Sequence, residues 1–258
     1  MNTEDWNAVL RSTDVDTRLE ALQQAGTLKG VFPEVSAMVG FGGGDQGHKD
    51  LWNHTKRVVK QTKPITLLRW AALFHDVGKP VSFSKEHGKV TFHQHEAASV
   101  RLFDKAMRRT GLLKGDARKR VRTIIYNLGL AEAYTSEWTD SAVRRLYKEL
   151  GDTFHDTLLL SRADVTTKHD HKREAIHRSI HELEQRAEAL AIEDAKLPPL
   201  PKGLGEAIIS TFGIPPSKQV GDLMKVLKAQ VEAEKLEPHQ EHSYYVKFLL
   251  EHRDEFGL

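Results

Sequence analysis

The chain of 258 residues contains no cysteine. Disulfide bonds and thiolate metal sites are therefore excluded, and histidine and carboxylate side chains remain as the strong ligands for a cation. The sequence also has no apolar run of the roughly eighteen residues that a membrane-spanning helix needs. Its N-terminus, Met-Asn-Thr-Glu-Asp-Trp, lacks a basic and then apolar leader. We therefore expect a cytoplasmic protein with no disulfide partner and no membrane contact.

An excess of charge of one sign is absent as well, since 38 Lys and Arg face 36 Asp and Glu. The surface as a whole cannot trap a polyanion, although local basic faces can. The sequence has no internal repeat, and nothing in it indicates an oligomeric state. Its one proline-rich break, Leu-Pro-Pro-Leu-Pro-Lys-Gly at 197–203, predicts a domain at 1–195 and a helical tail at 196–258.

Apolar residues at spacings of three and four recur along most of the chain, which predicts an all-α fold. The stretch 28–47 is expected to be irregular, and its glycine-rich part at 41–47 is read as a flexible loop because no Gly-Lys-Ser ending follows it. Residues 89–92 are expected to pair briefly as a strand. Helices are predicted at 15–25, 50–61, 65–75, 94–109, 116–128, 139–150 and 152–190, with two or three short ones in the tail.

His75 and Asp76 stand out because they close an almost wholly apolar helix at 65–75. Gly78 and Pro80 end that helix, so both side chains can turn towards one point. An aspartate at the edge of a core requires a counter-charge, and a metal ion supplies one. Taken alone, however, a His-Asp pair is typical of many helix ends.

Together with His54 and Asp164, this pair resembles the ligand set of the HD superfamily of metal-dependent phosphohydrolases. The surrounding residues, Leu-Phe-His-Asp-Val-Gly-Lys-Pro at 73–80, are similar to the helix end of that family. The resemblance implies an all-α HD-domain helical bundle with a small C-terminal helical appendage. It also implies that His54, His75, Asp76 and Asp164 hold one divalent ion.

A narrower resemblance covers nearly the whole chain. The segments 28–55, 92–96, 139–146, 162–166 and 211–221 are similar, in this order, to the HD body and helical tail of bacterial CCA-adding enzymes, the tRNA nucleotidyltransferase and poly(A) polymerase family. Those polymerases carry an N-terminal nucleotidyltransferase head of roughly a domain's length, whereas 53 residues precede His54 here. We therefore expect the body and tail without the head, and whether a separate subunit supplies that head stays open.

The number and identity of the metals are left partly open by the resemblance. His95 stands where HD relatives place a ligand of a second metal, but the further histidine expected near 126–128 is replaced by Asn127. Because an amide is a poor ligand for a transition metal, one tight metal with a weak or absent second is favoured. His95 would then hydrogen-bond the substrate phosphate. Two imidazoles favour Mn, Fe, Co, Ni or Zn, and Mg remains possible.

The same resemblance implies hydrolysis of a phosphoester by water. A bound divalent cation lowers the pKa of water from about 15.7 towards 7. Asp76 would orient or deprotonate that water, and Lys79 would neutralise charge on the phosphoryl oxygens. Arg57 lies three residues after His54 on one helix face and is a second candidate for this neutralisation.

Two further side chains are candidate substrate contacts. Glu96 follows His95 directly, so it can orient that imidazole or contact substrate. Lys218 stands where Pro-Ser-Lys-Gln-Val-Gly at 216–221 predicts a helix start, whose free amides can meet a phosphate. Helix capping alone explains this segment equally well.

A cluster of basic residues allows two interpretations. Such a cluster usually forms a solvated helix face, but it can also serve as a track for an RNA backbone. It comprises Arg118, Lys119, Arg120 and Arg122. Several histidines are expected to face solvent, with two of them, His87 and His93, as weak candidates for substrate contact; the others are His169, His171, His177 and His181.

The resemblance to both families implies an enzyme that acts on phosphate attached to ribose: 2′,3′-cyclic phosphodiesters, 2′-nucleotides and related monoesters of nucleotides or RNA ends. Two alternatives stay open. The chain is a non-catalytic module that binds tRNA or other RNA, or it is a nucleotide sensor without turnover. The presence of all four ligand types favours the enzyme.

Overall fold

Helices form nearly all of the regular structure in the computed structural model, which describes residues 1–42, 50–86, 89–195, 198–256 and 258. The all-α prediction is confirmed. Most of the glycine-rich stretch and His87 lie outside the described residues. The helices are α1 Thr3–Arg11, α2 Val15–Gln24, α3 Thr27–Val31, α4 Pro33–Ser36, α5 Leu51–Gln61, α6 Thr66–Phe74, α7 Lys79–Ser82, α8 His95–Thr110, α9 Gly115–Glu132, α10 Asp140–Leu150, α11 Phe154–Asp164, α12 Asp170–Ala195, α13 Leu204–Phe212, α14 Lys218–Glu232, α15 His242–Glu251 and α16 Arg253–Phe256.

The centre of the first part of the chain is an aromatic cluster around α6. Phe74 packs edge to face against Phe32 and Phe103, with ring centroids 5.2 and 5.3 Å apart. Trp6 of α1 lies 4.7 Å from Phe32, and all these rings are fully buried. Burial of each such side chain contributes about 1.5–3 kcal/mol. The uniformly apolar sequence of α6 is thus explained by neighbours on every side.

The end of α6 is held by an unusually close contact with α8. After Phe74 the chain turns through residues 75–78, and the amide of Gly78 donates a hydrogen bond to Ser99 Oγ at 2.8 Å. A Cβ atom at position 78 would lie 2.2 Å from the carbonyl oxygen of His95. Glycine therefore brings the start of α8 next to the His-Asp pair.

One short antiparallel hairpin interrupts the helices. Strand β1, Phe83–Glu86, pairs with β2, Lys89–Phe92, and Phe83 stands opposite Phe92. The predicted strand at 89–92 is confirmed. The rings of Phe83, Phe92 and Phe41 contact one another, with centroid distances of 5.7 to 6.5 Å.

Two of the predicted element boundaries are wrong. The single helix expected at 152–190 is two helices, because α11 ends at Asp164 and α12 begins only at Asp170. The run Val165-Thr166-Thr167 between them is β-branched, and such residues have low helix propensity. The stretch at 28–47 contains α3 and α4 rather than only irregular backbone. Pro33 stands at the first position of α4, where a backbone N–H would have no partner within the helix and its absence costs nothing.

The structure divides into two compact units, Met1–Leu190 and Ala191–Leu258. The second unit has its own core, in which Leu204, Ile208, Leu227, Tyr245 and Leu249 are fully buried. The domain division at residue 195 stays a prediction. Among the described residues, no helix is long and apolar enough to cross a membrane.

Candidate metal centre

Four side chains from three helical segments meet at one point. His54 belongs to α5, His75 and Asp76 follow α6, and Asp164 ends α11. His54 Nε2 lies 2.9 Å from Asp164 Oδ1, 3.4 Å from His75 Nε2 and 3.5 Å from Asp76 Oδ2. His75 Nε2 lies 3.2 Å from Asp76 Oδ2 and 3.5 Å from Asp164 Oδ1. The structure brings together the side chains that the sequence predicted as ligands.

Local packing explains why these residues converge. Helix α5 packs against both α6 and α11, and its first turn is capped by Asp50, which accepts a hydrogen bond from the amide of Asn53 at 2.7 Å. The apolar face of α5 directs Val58 and Val59 into the core, so His54 emerges at the edge. Gln61, at the other end of α5, donates to the carbonyl oxygen of Ala163 at 2.6 Å and thereby ties the helix to the end of α11.

Both imidazoles are oriented so that Nε2 faces the cluster. Nδ1 of His75 lies 2.7 Å from the carbonyl oxygen of Ala72, which accepts only if Nδ1 carries the proton. Nδ1 of His54 lies 3.1 Å from Thr166 Oγ1. A proton on each Nδ1 leaves a lone pair on each Nε2. This is the tautomer that binds a metal ion through Nε2.

The spacing of the polar atoms fits a cation. Two ligands with bonds of about 2.1 Å lie about 3.0 Å apart at a right angle and about 3.4 Å apart at a tetrahedral angle. The five distances in the cluster fall between 2.9 and 3.5 Å. When each Nε2 carries a lone pair, the buried Oδ1 of Asp164 has no hydrogen-bond donor among the described residues, although His54 Nε2 lies 2.9 Å away. A buried carboxylate oxygen without a partner is costly unless a cation binds it. His54, His75 and Asp76 form a group able to hold a metal ion.

The charges of the cluster are strongly coupled. Burial lowers the pKa of His54 and of His75, but the neighbouring carboxylates outweigh it, so both pKa values are raised. Burial likewise opposes ionisation of Asp76 and Asp164, yet the imidazoles, together with Lys79 beside Asp76, hold both pKa values below the usual range. The carboxylates are therefore ionised at neutral pH and favour any cation that enters.

Lys79 is the cation closest to Asp76. Its Nζ lies 2.7 Å from Asp76 Oδ2 and 5.8 Å from the centre of the Phe92 ring. Burial lowers the pKa of Lys79, but the charge of Asp76 outweighs burial and the pKa is raised. The ammonium is thus charged at neutral pH and lines the space in front of the cluster.

His95 occupies the other side of Asp76. Its Nε2 lies 3.5 Å from Asp76 Oδ1, and its Nδ1 faces the carbonyl oxygen of Phe92 at 3.1 Å. Glu96 Oε2 lies 3.3 Å from Nδ1 of His95, in agreement with an orienting role. Asn127 is buried, and its Nδ2 donates to the carbonyl oxygen of Thr123 at 3.0 Å.

A cavity of 540 Å³ opens in front of the cluster; we call it the main cavity. Its polar lining comes from His54, Lys79, Glu132, Asp164, Thr166 and Thr167, and its apolar lining from Phe41, Leu51, Phe92, Val165 and Ile176. A cavity with apolar walls and a small number of convergent polar groups is typical of a small-molecule site.

Glu132, in the last turn of α9, was missed by the sequence reasoning. Although the residue as a whole is exposed, its carboxyl lies beside Asp164 in the main cavity. Burial of the carboxyl and the charge of Asp164 raise the pKa of Glu132 to about 8. The sequence Leu-Ala-Glu-Ala gives no signal for this position, because a glutamate near a helix end is ordinarily a solvated residue.

One predicted substrate contact, Arg57, lies outside the main cavity. It lines a neighbouring cleft, which it shares with His54 and Lys168. Lys218 begins α14 in the second compact unit. The role of Lys218 stays a prediction.

Residues 51–169 match the family model described as HD domain. This range contains α5, α6, α8, α9 and α11, and therefore all four side chains of the cluster together with Lys79 and His95.

The chain is similar over most of its length to two curated proteins. It is 26% identical over 231 residues to the A-adding tRNA nucleotidyltransferase of Deinococcus radiodurans, which covers 87% of the chain and 52% of that relative. It is 28% identical over 240 residues to the CC-adding tRNA nucleotidyltransferase of Thermus thermophilus. This match covers 89% of the chain and 52% of that relative. The Multifunctional CCA protein of Pseudomonas fluorescens is 32% identical over 104 residues, 37% of the chain and 25% of that protein. The chain thus spans about half the length of the first two.

Proposed function

We propose that the chain is a metal-dependent phosphohydrolase that acts on ribose-linked phosphates of nucleotides or RNA ends, because residues 51–169 match the family model described as HD domain. The proposed activity is that of a 2′,3′-cyclic phosphodiesterase, nucleotidase or phosphatase. The single observation that supports it best is the buried, unpartnered Oδ1 of Asp164, 2.9 Å from His54 Nε2 in front of an open cavity.

The donor set suits one divalent transition metal. His54, His75, Asp76 and Asp164 would hold it, and when bound it would activate water and neutralise phosphoryl charge. Two nitrogen and two oxygen donors favour Mn, Fe, Co, Ni or Zn, with Mg possible. His95 faces Asp76 Oδ1, so the same carboxylate could serve a second, weaker site.

The remaining side chains have separate tasks in the proposed hydrolysis. Asp76 accepts a proton from the attacking water, whose oxygen forms the new bond to phosphorus. The bond between phosphorus and one ribose oxygen breaks, and that oxygen takes up the proton that Asp76 accepted from the water. Lys79 stabilises the negative charge that develops on the phosphoryl oxygens, since this residue lines the main cavity.

The first test is Asp164→Asn, which keeps the shape of the side chain and removes its charge. We expect divalent metal to bind at least tenfold more weakly by calorimetric titration, because the cluster loses one anionic ligand. Elemental analysis of untreated protein should show less metal than in the unchanged chain. Hydrolysis of 2′,3′-cyclic nucleotides and 2′-nucleotides should fall at least a hundredfold.

Asp170→Asn is the matched control, since Asp170 is exposed and pairs only with Arg173 among the described residues. It should leave metal content and turnover unchanged. If the unchanged chain hydrolyses no phosphoester with Mn, Ni, Co or Mg, yet binds RNA in a salt-sensitive manner, the enzyme proposal fails and the RNA-binding module is favoured. If the unchanged chain binds a nucleotide but neither hydrolyses it nor binds RNA, the nucleotide sensor is favoured.

A further inference from the structure

The main cavity continues into neighbouring clefts along α5 and the start of α12. His54, Thr166 and Thr167 line both the main cavity and a cleft that also contains Arg57 and Lys168. The surface that leaves the metal centre in this direction is therefore open and continuous.

The clefts extend further along the same side of the first compact unit. Arg57 and Lys168 also line a cleft with Lys63, Arg173 and His177. Arg173 and His177 in turn line a shallow cleft farther along α12, together with Arg178 and His181. We call the surface lined by Arg57, Lys63, Lys168, Arg173 and His177 the cationic groove.

The charge of the cationic groove is only partly compensated. Arg57, Lys63 and Lys168 are exposed, and none forms an ion pair with another residue in the described part of the chain. Arg173 pairs with Asp170, a residue that is itself exposed, at 2.6 Å. Cations clustered without counter-charges raise the local positive potential and attract a polyanion.

The acidic residues that line these clefts do not cancel the positive charge of the cationic groove. Of the carboxylates that line these clefts, Asp50 is engaged as the cap of α5 and Glu174 lies in the shallow cleft. Arg162, which lines the groove near Lys63, is paired with Glu184 at 2.6 Å. Among the described residues of the cationic groove, the cations without an ion pair thus lie between the main cavity and the start of α12.

The basic residues of α9, which the sequence offered as a possible RNA track, differ from the cationic groove because their charges are paired. Arg118 and Arg122 of α9 both pair with Asp104, at 2.7 and 3.0 Å. Arg120 pairs with Asp152 and Asp156, each at 3.1 Å. These arginines have their counter-charges within the fold, so that face is the weaker candidate for a polyanion.

We propose that the cationic groove binds the single-stranded 3′ end of an RNA and leads its terminal ribose phosphate into the main cavity. This inference rests on the proposed function and specifies its substrate class: RNA ends rather than mononucleotides. A mononucleotide carries phosphate only at the main cavity. The nine residues from Arg173 to His181 span about 12 Å of helix, so only a chain with several phosphates reaches both ends.

The same surface indicates that the bound nucleic acid is the end of a single-stranded RNA. The groove enters a cavity that already holds the proposed phosphate site, and only a strand end can be inserted there. Apolar side chains beside the cations, Leu159 in the groove and Ile176 in the main cavity, offer contact to unstacked bases. RNA is specified over DNA because the proposed reaction requires a ribose that carries the 2′ oxygen.

The test compares two triple variants of the full chain with equal charge changes. Arg57, Lys63 and Lys168 are changed to Gln in one, and Lys29, Lys114 and Lys119, which are exposed and outside the groove, in the other. Binding of a labelled single-stranded RNA of about twelve nucleotides with a free 3′ hydroxyl is measured at several salt concentrations. The groove variant should bind at least tenfold more weakly, with a salt slope smaller by about 2, because each lost contact contributes about 0.7. The control should match the unchanged chain.

Turnover is measured with a 2′,3′-cyclic mononucleotide and with the same RNA ending in a 2′,3′-cyclic phosphate. The unchanged chain should prefer the RNA in kcat/KM, and the groove variant should lose that preference. RNA binding that is identical in both variants, or equal binding of a duplex DNA of the same length, would overturn the groove and leave the proposed function intact. A selective loss of RNA binding in the groove variant, with no turnover by the unchanged chain, would overturn the proposed function instead.

Discussion

The proton on Nδ1 of His75 has a clear consequence for the metal centre. Because Ala72 presents a carbonyl oxygen 2.7 Å away, that nitrogen is held as a donor and Nε2 is directed at Asp76 and Asp164. The acceptor is a backbone atom of α6, so the orientation survives side-chain substitutions nearby. A single main-chain contact thus preorganises one of the two imidazoles.

Glu34 shows how a charged residue away from the centre stabilises the first unit. Its carboxylate is buried and accepts two hydrogen bonds from Arg109, at 2.7 and 2.8 Å. Arg109 also donates to the carbonyl oxygen of Val31 at 2.9 Å. Burial raises the pKa of Glu34, but the guanidinium outweighs it, so the pKa is lowered.

We expect Glu34→Gln to reduce the free energy of unfolding by about 1–3 kcal/mol, because it leaves Arg109 without its anionic partner. The folded state binds protons at Glu34 less readily than the unfolded state does. The contribution is therefore complete above the ordinary pKa of 4.5 and is lost as the pH falls through the lower folded value.

The measurement is urea unfolding of both proteins between about pH 3 and 7. The gap between them should narrow as the pH falls below about 4.5. Glu4→Gln is the control, since Glu4 is exposed and only 3.6 Å from Arg11 in an open ion pair; it should change stability by less than about 0.5 kcal/mol. A gap at Glu34 that is constant with pH would contradict the ion pair as its cause.

At the scale of elements, the approach of α8 to the end of α6 depends on Gly78. Its φ lies in the right-handed region, so an L-residue is not strained by the backbone there. The obstacle is steric, since a Cβ atom would lie 2.2 Å from the carbonyl oxygen of His95 and 2.5 Å from the amide nitrogen of Ser99. Backbone atoms cannot rotate away as a side chain can.

Gly78→Ala should therefore push α8 outwards and move His95 away from Asp76. We expect a loss of stability of about 1–3 kcal/mol, the usual cost of overpacking, and weaker binding of any second metal equivalent. Thermal unfolding and calorimetric metal titration measure the two effects.

Gly30→Ala provides the control, because a Cβ at that position of α3 has no atom within 4 Å. It should stabilise the chain by up to about 1 kcal/mol, since glycine is unfavourable in a helix. Two substitutions of the same kind should thus have opposite signs. A neutral Gly78→Ala would mean that α8 adjusts without loss.

A second element-level device ties the two helices that bear His54 and Asp164. Thr166, two residues after α11, is within 3.1 Å of His54 Nδ1, and Gln61 of α5 donates to the carbonyl oxygen of Ala163. The loop that follows α11 therefore both orients an imidazole and forms part of the cationic groove. The break between α11 and α12 thus places Thr166 beside His54. A continuous helix would not leave this loop free to do so.

For the whole molecule, the two compact units have separate hydrophobic cores. Two clusters of buried apolar residues lie within 6–190, and a third lies within 200–258. Every side chain of the metal centre and of the cationic groove belongs to the first unit. A unit with its own core can fold by itself.

We therefore propose that residues 1–195 alone form a folded domain that retains the metal site. The fragment should unfold cooperatively in a thermal melt monitored by circular dichroism. Its affinity for Mn or Ni should lie within about threefold of that of the full chain. A fragment that is unfolded, or that binds metal only as weakly as Asp164→Asn, would show that the tail is required for the first unit.

Some elements of this structure could be predicted from the sequence, and others could not. The apolar run before His75, the stop at Gly78 and the strand at 89–92 are local signals, and the structure has the expected elements there. The break at 165–169 was missed because weak local preference for extended backbone competes with helical periodicity on both sides. Glu132 and the partners of Arg118 and Arg120 were missed because they depend on contacts between distant segments.

The sequence by itself determined the all-α class and the place of the His-Asp pair, and its resemblance to the HD superfamily predicted the set of residues that would bind a cation. These properties depend on side-chain chemistry and on periodicities within about twenty residues. Only the tertiary structure decided that His54 and Asp164, 110 positions apart, lie 2.9 Å from each other. It also decided that the arginines of α9 pair with aspartates, while Arg57, Lys63 and Lys168 form no ion pair with any other described residue. The physical reason is that packing of helices selects which of many like-charged and opposite-charged residues become neighbours, and no local pattern contains that choice.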